Sequence, residues 1–455
     1  MNGNPQALYA AHVSEVQARW EAALDAENLQ AALVHSGTPL VSFLDDYEYA
    51  FRPNPQFQYW LPLPRHADSA LMIVPGRRPW LFYYQPDDYW YLPPADPESW
   101  WADHFDIEVV RDASGWQAGV KAWLAKTSAR TSARTSAGPE GVAAIGDSPA
   151  LSGVFSPARI NPAGLMNRMH IARTRKTAYE VACTRTAARA AARAHVAAEQ
   201  AFREGGSEFA IHLRYLAACG HTDTQLPYNN IVALNEHGAV LHYQGRERSA
   251  PAQLRSFLID AGATCHAYAC DITRTYAYQA GEFADLVAAM DRVQLGLVAG
   301  VRAGVDYKSL HLQAHREIAG VLAQAGVIRV SADDAVETGL SGVFFPNGLG
   351  HFLGLQTHDV AGLIDNQGVP IPRPAGHHAL RLTRVLEPGN VLTVEPGLYF
   401  IDSLLNRWRQ QQDASMIDWQ QVAALAPCGG IRIEDNVLVT ESGCENLTRP
   451  AFAEV

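Results

Sequence analysis

The residues best suited to chemistry lie between positions 258 and 276: Leu-Ile-Asp-Ala-Gly-Ala-Thr-Cys-His-Ala-Tyr-Ala-Cys-Asp-Ile-Thr-Arg-Thr-Tyr. Asp260 closes the apolar run Phe257-Leu258-Ile259, and Asp271 sits between Tyr268-Ala269-Cys270 and Ile272. The β-rich pattern breaks at Ala261-Gly262-Ala263 and resumes, which predicts two strands joined by a short turn there. Each strand then carries a carboxylate where an apolar side chain belongs. A buried carboxylate is costly unless it is paired or bound to a metal. Two carboxylates facing each other also repel, and a divalent cation removes both difficulties. On this stretch alone a pair of turn or surface aspartates fits equally well. Cys270, beside Asp271, also admits a reading as a reactive thiol.

Three further groups extend the pattern. His351 stands in Gly-Leu-Gly-His-Phe-Leu-Gly-Leu-Gln-Thr-His-Asp, Glu395 in Leu-Thr-Val-Glu-Pro-Gly, and Glu434 in Gly-Gly-Ile-Arg-Ile-Glu-Asp. Each glutamate again ends a short β-like apolar run. Four carboxylates and one imidazole form a mostly hard donor set. It suits two Mn²⁺, Co²⁺ or Zn²⁺ ions better than one thiolate-bound zinc.

Taken in order, Asp260, Asp271, His351, Glu395 and Glu434, with His-x-x-Gly-x-x-x-His-Asp and Val-Glu-Pro-Gly, resemble the metallopeptidases of the pita-bread fold. Within that group the chain is similar to the bacterial Xaa-Pro dipeptidases (prolidases). Leu-Pro-Tyr-Asn-Asn-Ile-Val-Ala-Leu-Asn-Glu-His at 226–237 and Gly-Leu-Tyr-Phe-Ile-Asp-Ser-Leu-Leu at 397–405 support this. The resemblance covers the whole chain, more loosely over residues 1–160. It implies an N-terminal creatinase-like α/β domain, residues 1–164, and a C-terminal pita-bread domain, residues 165–455, with a curved sheet and outer helices. It also implies that Asp271 and Glu434 bridge two metal ions, that Asp260 chelates one, and that His351 with Glu395 holds the other. Manganese is the expected metal, with cobalt or zinc as alternatives.

The resemblance assigns the substrate side as well. His242 and His358 match histidines lining the pocket, where an imidazole can donate to a carbonyl oxygen or move a proton. Arg432, two residues before Glu434 on one strand, shares its face and can hold a ligand carboxylate. Arg381 and Arg384 are candidates for the substrate's free carboxylate, because a guanidinium matches it in fork geometry. Tyr228 matches a pocket tyrosine. One position departs from the pattern. Many prolidases carry a histidine four residues before the metal histidine, whereas this chain has Asn347. Asparagine can donate a hydrogen bond but cannot titrate.

The implied activity is hydrolysis of Xaa-Pro dipeptides by a dinuclear centre that activates a bridging water, with some organophosphorus ester hydrolysis. The alternatives are an aminopeptidase P acting on longer Xaa-Pro peptides, or a metal-free pita-bread binding module. The family's N-terminal domain reaches the dimer partner's site, so a homodimer is implied.

Bulk properties agree with a soluble enzyme. The chain has 455 residues, enough for two or three domains. Its net charge is −11, from 36 basic and 47 acidic residues, which argues against nucleic acid as a partner. No apolar run approaches the roughly 18 residues of a membrane span. The N-terminus lacks the basic head and apolar segment of a secretory signal. The six cysteines are scattered without a C-x-x-C pair, as expected of reduced thiols in the cytoplasm.

The elements that must position these groups are legible in outline. Residues 5–27 are amphipathic and helix-like, and β-like runs at 32–35, 70–74 and 80–84 follow. Helical stretches are expected near 98–105 and 115–125. Aromatic-rich segments, 41–65 and 83–101, predict a core or interface and a wall over the site. The repeat Thr-Ser-Ala-Arg at 127–137 predicts a surface-loop expansion without function. A long Ala-rich helix over 177–203, a Ser207-capped helix to about 218, and helices near 283–301 and 307–325 complete the outline. Arg185, Arg189 and Arg193 on the first of these predict a solvated face.

Overall fold

The computed structural model describes residues 4–130, 141–411 and 413–455. Packing divides the chain into two units. One runs to Arg173 and includes Thr177–Ala182; the other comprises Thr174–Lys176 and Cys183–Val455.

The first unit starts with α1, Pro5–Ala26, capped by the Asn4 side chain. Its inner face carries Tyr9, Val13, Val16, Trp20 and Leu24 at helical spacing. The sheet is built from β1 (Ala31–His35), β2 (Ala70–Ile73), β3 (Trp80–Tyr84), β4 (Asp106–Val110) and β5 (Val142–Ile145). Their order is β4-β3-β2-β1-β5, with β1–β2 and β2–β3 antiparallel and the two outer pairings parallel. The expected mixed sheet is therefore present. Ala31 to Val34 of β1 are wholly buried, as a central strand covered on both faces requires.

The helices of this unit are α2 (Pro55–Gln58), α3 (Gly115–Arg130) and α4 (Ala163–Thr174). The helix expected near 98–105 is reduced to a 3₁₀ turn at Ala102–His104. The boundary expected between 164 and 165 falls inside α4. From residue 131 on, the Thr-Ser-Ala-Arg repeat lies outside the described residues. The aromatic segments split in two. Phe57, Tyr59 and Trp60 are buried around α2, whereas Phe43, Tyr47, Tyr49, Tyr89, Trp90 and Tyr91 are exposed.

In the second unit two groups of strands each lie against their own helices. Strands β6 (Ile231–Leu234), β7 (Ser256–Asp260) and β10 (Thr273–Ala277) form an antiparallel sheet in the order β10-β7-β6. A small hairpin, β8 (Thr264–Cys265) with β9 (Tyr268–Ala269), interrupts the chain between β7 and β10. Helices α5 (Ala178–Arg203) and α6 (Glu208–Cys219) cover this sheet, packing Phe202, Ile211 and Tyr215 with Val232, Phe257 and Ile259. Ser207 Oγ accepts from Ala210 N at 3.2 Å to start α6, and Gly220 ends it at a φ of 72°.

The second group comprises β11 (Val391–Val394), β12 (Gly397–Tyr399), β13 (Gly430–Arg432), β14 (Asp435–Val439) and β15 (Cys444–Asn446). Strands β11, β14 and β15 form one sheet and β12 pairs with β13. Helices α7 (Glu282–Gly300) and α8 (Tyr307–Gln324) cover them, packing Met290, Leu297, Ile318 and Leu322 with Leu392, Val394, Val437 and Val439. A β-bridge from Thr273 to Glu434 joins the two groups, and Thr275 Oγ1 donates to Arg432 O at 3.0 Å and accepts from Arg432 N at 3.1 Å.

The arginine face of α5 is not simply solvated. Arg185 pairs with Glu445 at 2.6 Å and Arg189 with Glu454 at 2.8 Å. Such partly exposed pairs fix the C-terminal segment and add little stability. Among the described residues, no helix is long and apolar enough to cross a membrane.

Candidate metal centre

Asp260 is the last residue of β7, opposite Thr273 on β10 and Ile231 on β6. The turn expected at Ala261-Gly262-Ala263 is not there. Ala261 N donates to Ile272 O and Cys270 N to Ala263 O, each at 3.0 Å, so pairing continues past Asp260. The chain reverses instead at His266 and Ala267, whose φ values of 48° and 71° match a two-residue hairpin turn. Gly262 serves a close approach: a Cβ there would lie 2.2 Å from Cys270 O and 2.9 Å from a Tyr228 ring carbon. Asp271 then returns beside Asp260. Its backbone is clamped by Asn436, whose side chain accepts from Asp271 N at 3.0 Å and donates to Asp271 O at 2.5 Å.

Glu434 and Glu395 lie beside strands of the second group, and His351 lies on an irregular segment bridged to β11 through Phe352 and Leu392. Glu434 N donates to Thr273 O at 3.0 Å, and Thr273 Oγ1 donates to Glu434 Oε2 at 2.8 Å. Glu395 follows β11 and donates its N–H to Leu349 O. His351 is held through Thr393, with His351 N to Thr393 Oγ1 at 3.1 Å and Thr393 N to His351 O at 2.9 Å. Its Nδ1 lies 2.9 Å from Phe352 O. A carbonyl only accepts, so Nδ1 carries a proton and Nε2 points inward. Nε2 is 3.5 Å from both Asp271 Oδ2 and Glu395 Oε1.

Asp271, His351 and Glu434 each bring one donor atom within 4.8 Å of the others, and all three are buried. Asp260 Oδ1, Asp271 Oδ1 and Glu434 Oε1 are buried with no hydrogen-bond partner. Such oxygens are costly unless a cation meets them. The electrostatics say the same. Burial and neighbouring carboxylates raise Glu434 well above the usual range, and burial raises Glu395 to about 7. Burial also raises Asp260, against the pull of Arg432. Asp271 is burdened by burial but lowered on balance by His351. Burial lowers His351, yet Asp271 and Glu395 outweigh it and raise its pKa. A pocket that must protonate to relieve its own charge is a pocket that fits divalent cations. The donor set is hard and oxygen-rich, and the residues present fit the group that the sequence implies.

Around these carboxylates the other expected residues separate into two sets. Arg432 donates to Asp260 Oδ2 at 2.7 Å and to Tyr399 Oη at 2.8 Å, and is buried. The Tyr228 hydroxyl faces Asp260 and Asp271 without a well-formed hydrogen bond to either. Asn347 donates to Gly348 O at 3.1 Å and more weakly to Glu395 O at 3.4 Å, so it braces backbone. His358 is partly exposed, its ring 4.3 Å from that of His351 in an edge-on contact. Partial burial, His351 and Arg381 push its pKa down to about 4, and His242 also lies near enough to contribute. His242, His358 and Arg381 are all exposed.

Arg384 departs from the expectation. It is 3% exposed, and its guanidinium donates to Ile364 O and Asn366 Oδ1. Those bonds fix the 364–366 loop and leave the fork unavailable to a substrate. Cys270 is wholly buried and burial pushes its thiol far up, which removes the reactive-thiol reading. Thr273, Asn436 and Tyr399 have structural tasks at the site that the sequence reading did not assign. Thr273 and Asn436 each lie two residues beyond a predicted ligand, a spacing that could have flagged them.

Comparisons with known proteins show the family and the fold. The profile of metallopeptidase family M24 matches residues 182–441, and that of the Xaa-Pro dipeptidase N-terminal domain matches residues 7–171. The Xaa-Pro dipeptidase of Xanthomonas campestris pv. campestris (strain B100) is 48% identical over 448 residues, covering 98% of each chain. That of Stenotrophomonas maltophilia (strain K279a) is 48% identical over 452 residues, covering 99% of this chain and 98% of its own. Among solved structures, Escherichia coli aminopeptidase P in complex with substrate superposes with a TM-score of 0.73 at 23% identity, over 96% of this chain and 95% of that one. Pseudomonas aeruginosa aminopeptidase PepP gives 0.69 at 22% identity, over 100% and 98%. These structures share the fold, an N-terminal α/β domain followed by a pita-bread domain. The chain belongs to metallopeptidase family M24, whose members use a dinuclear divalent-metal centre, and within it to the Xaa-Pro dipeptidases.

Proposed function

We propose that the protein hydrolyses Xaa-Pro dipeptides at a dinuclear metal centre held by Asp260, Asp271, His351, Glu395 and Glu434. The observation that carries this is the meeting of Asp271, His351 and Glu434 within 4.8 Å, with Glu395 Oε1 3.5 Å from His351 Nε2 and buried, partnerless oxygens on Asp260, Asp271 and Glu434. Asp260, Asp271, Glu395 and Glu434 would hold the two ions through carboxylate oxygens and His351 through Nε2. Two divalent cations held there supply a water of lowered pKa and positive charge opposite the scissile carbonyl. Manganese suits the carboxylate-rich set best, and cobalt or zinc can replace it.

The chain's own groups do the rest. Arg432 neutralises and orients Asp260 through the 2.7 Å contact. His358 and His242 are assigned to the substrate side, where a neutral ring can donate to the carbonyl oxygen or pass a proton to the leaving nitrogen. Tyr228 closes the wall beside the aspartates. Arg381, exposed and without a hydrogen bond or ion pair among the described residues, is assigned to the free carboxylate of a dipeptide. Proline at the second position offers no amide hydrogen, so the carboxylate must carry much of the binding. A tetrahedral phosphorus centre resembles the peptide intermediate, so some hydrolysis of organophosphorus esters is expected. The exposed aromatic loops of the first unit support a homodimer. All six cysteines are thiols, which suits a cytoplasmic enzyme.

The test is hydrolysis of an Xaa-Pro dipeptide against an Xaa-Pro-Xaa tripeptide, using metal-stripped protein with Mn²⁺, Co²⁺ or Zn²⁺ restored. Metal-dependent cleavage of the dipeptide is expected. Preference for the tripeptide would move the assignment to aminopeptidase P. No cleavage with any metal would favour the binding-module reading, which the five intact ligand positions oppose.

A further inference from the structure

A second group of metal-type ligands lies in the C-terminal unit and shares no residue with the carboxylate centre. The run His311-Leu312-Gln313-Ala314-His315 sits on α8 and places two imidazoles one turn apart on one face. That face points inward: His311 is 1% exposed and His315 2%. His377, from the irregular segment between Pro374 and Leu380, meets them. His311 Nε2 and His377 Nδ1 are 2.9 Å apart, and each of the three rings brings a nitrogen within 4.8 Å of the others.

Here His315 Nδ1 reaches Ser341 Oγ at 3.0 Å, while His315 Nε2 is buried with no hydrogen-bond partner. We propose that His311, His315 and His377 bind one divalent cation of the zinc, nickel or copper class, at a site separate from the carboxylate pair.

The chemistry of the set supports that class. Three imidazoles form a nitrogen-only donor set, which borderline metals prefer and manganese does not. A ligand must offer a lone pair, so the ring has to be neutral. Burial and the neighbouring rings push His311 down to about 2 and His315 to about 3, and burial lowers His377. All three are then neutral at pH 7. Ser341 accepts from or donates to one nitrogen of His315 and so fixes the ring's orientation, as outer partners of metal-bound histidines do. Tetrahedral zinc with bonds of about 2.0–2.1 Å separates its nitrogens by roughly 3.3 Å. The His311–His377 pair would have to open by only a few tenths of an ångström, which rotation of the half-buried His377 can supply. Three histidines leave a fourth position for water.

A cation there would tie the 374–380 segment to α8. Arg381 follows directly, so the site would anchor the stretch that presents this guanidinium. The competing account is a buried hydrogen-bonded histidine cluster with no ion.

The test is zinc stoichiometry of the full chain. Metal-stripped wild-type protein is saturated with Zn²⁺, desalted and analysed, beside His377→Ala. His377 is half-buried on an irregular segment, so this variant should fold. His315→Gln, close in size, serves as a second variant, with circular dichroism confirming the fold of each. The expected result is one zinc fewer per chain in both variants than in the wild type. The same difference is expected when His377→Ala is placed in an Asp271→Asn background, so failure of the carboxylate assignment would not hide it. Equal zinc content in the wild type and either folded variant would overturn the proposal.

Discussion

Two five-residue strands show how this molecule separates framework from chemistry. β1, Ala31–His35, and β7, Ser256–Asp260, are each a central strand of a sheet, and both bury nearly every side chain. They differ at the last residue. His35 is wholly buried and burial pushes its pKa down to about 4, so it stays neutral; Gly37 N donates to its Nδ1 at 3.0 Å. Asp260 ends β7 with one oxygen on Arg432 and the other without a partner. A neutral ring can be buried with one hydrogen bond. A carboxylate cannot be, and four of them around one pocket are far less tolerable. The first sheet is therefore stable as it stands, whereas the second is completed only by ligands it does not itself contain.

The sharpest way to break this contrast is Glu434→Gln. Activity should fall by at least about 10³-fold, or roughly 4 kcal/mol of transition-state stabilisation. The metal-free variant should nonetheless melt at a higher temperature than the metal-free parent, because the cost of burying or protonating one carboxylate is gone. A lower melting temperature in the metal-free state would show that the carboxylates do not destabilise one another. The counterpart on β1 is Leu33→Ala, which should cost about 2–5 kcal/mol of stability by urea unfolding. The kcat of the folded fraction should be unchanged, and a matching loss of kcat would erase the distinction between the sheets.

Two milder changes sharpen the picture. Arg432→Lys keeps a charge but loses the fork that spans Asp260 and Tyr399. Metal affinity should drop about 10–100-fold by titration, with the fold intact. Arg381→Ala should raise KM for an Xaa-Pro dipeptide by roughly 10–100-fold, the worth of one charge-assisted pair. A carboxyl-amidated analogue should be nearly unaffected, and equal effects on both substrates would remove Arg381 from this task.

Much of the arrangement was legible because its causes are local. Helices α1, α5, α7 and α8 lie within a residue or two of the expected limits, since periodicity and caps such as Ser207 act over a few residues. The candidate carboxylates could be flagged because each ends or interrupts an apolar run. What escaped depends on contacts between distant segments. The hairpin turn uses His266 and Ala267 in left-handed conformations, where neither glycine nor asparagine gives a signal. Asn436 clamps Asp271 from 165 positions away. Arg381 and Arg384 look alike in sequence, and only the fold shows that Arg384 is occupied by the 364–366 loop. The pairing of Arg185 and Arg189 with the C-terminal glutamates is hidden for the same reason.

The most direct test of the central claim is a calorimetric titration of Mn²⁺ into metal-stripped protein, wild type against Asp271→Asn. Two manganese ions per chain are expected for the wild type and at most one, weakly held, for the variant, which loses one of the proposed ligands. Two tightly bound ions in Asp271→Asn would contradict the account.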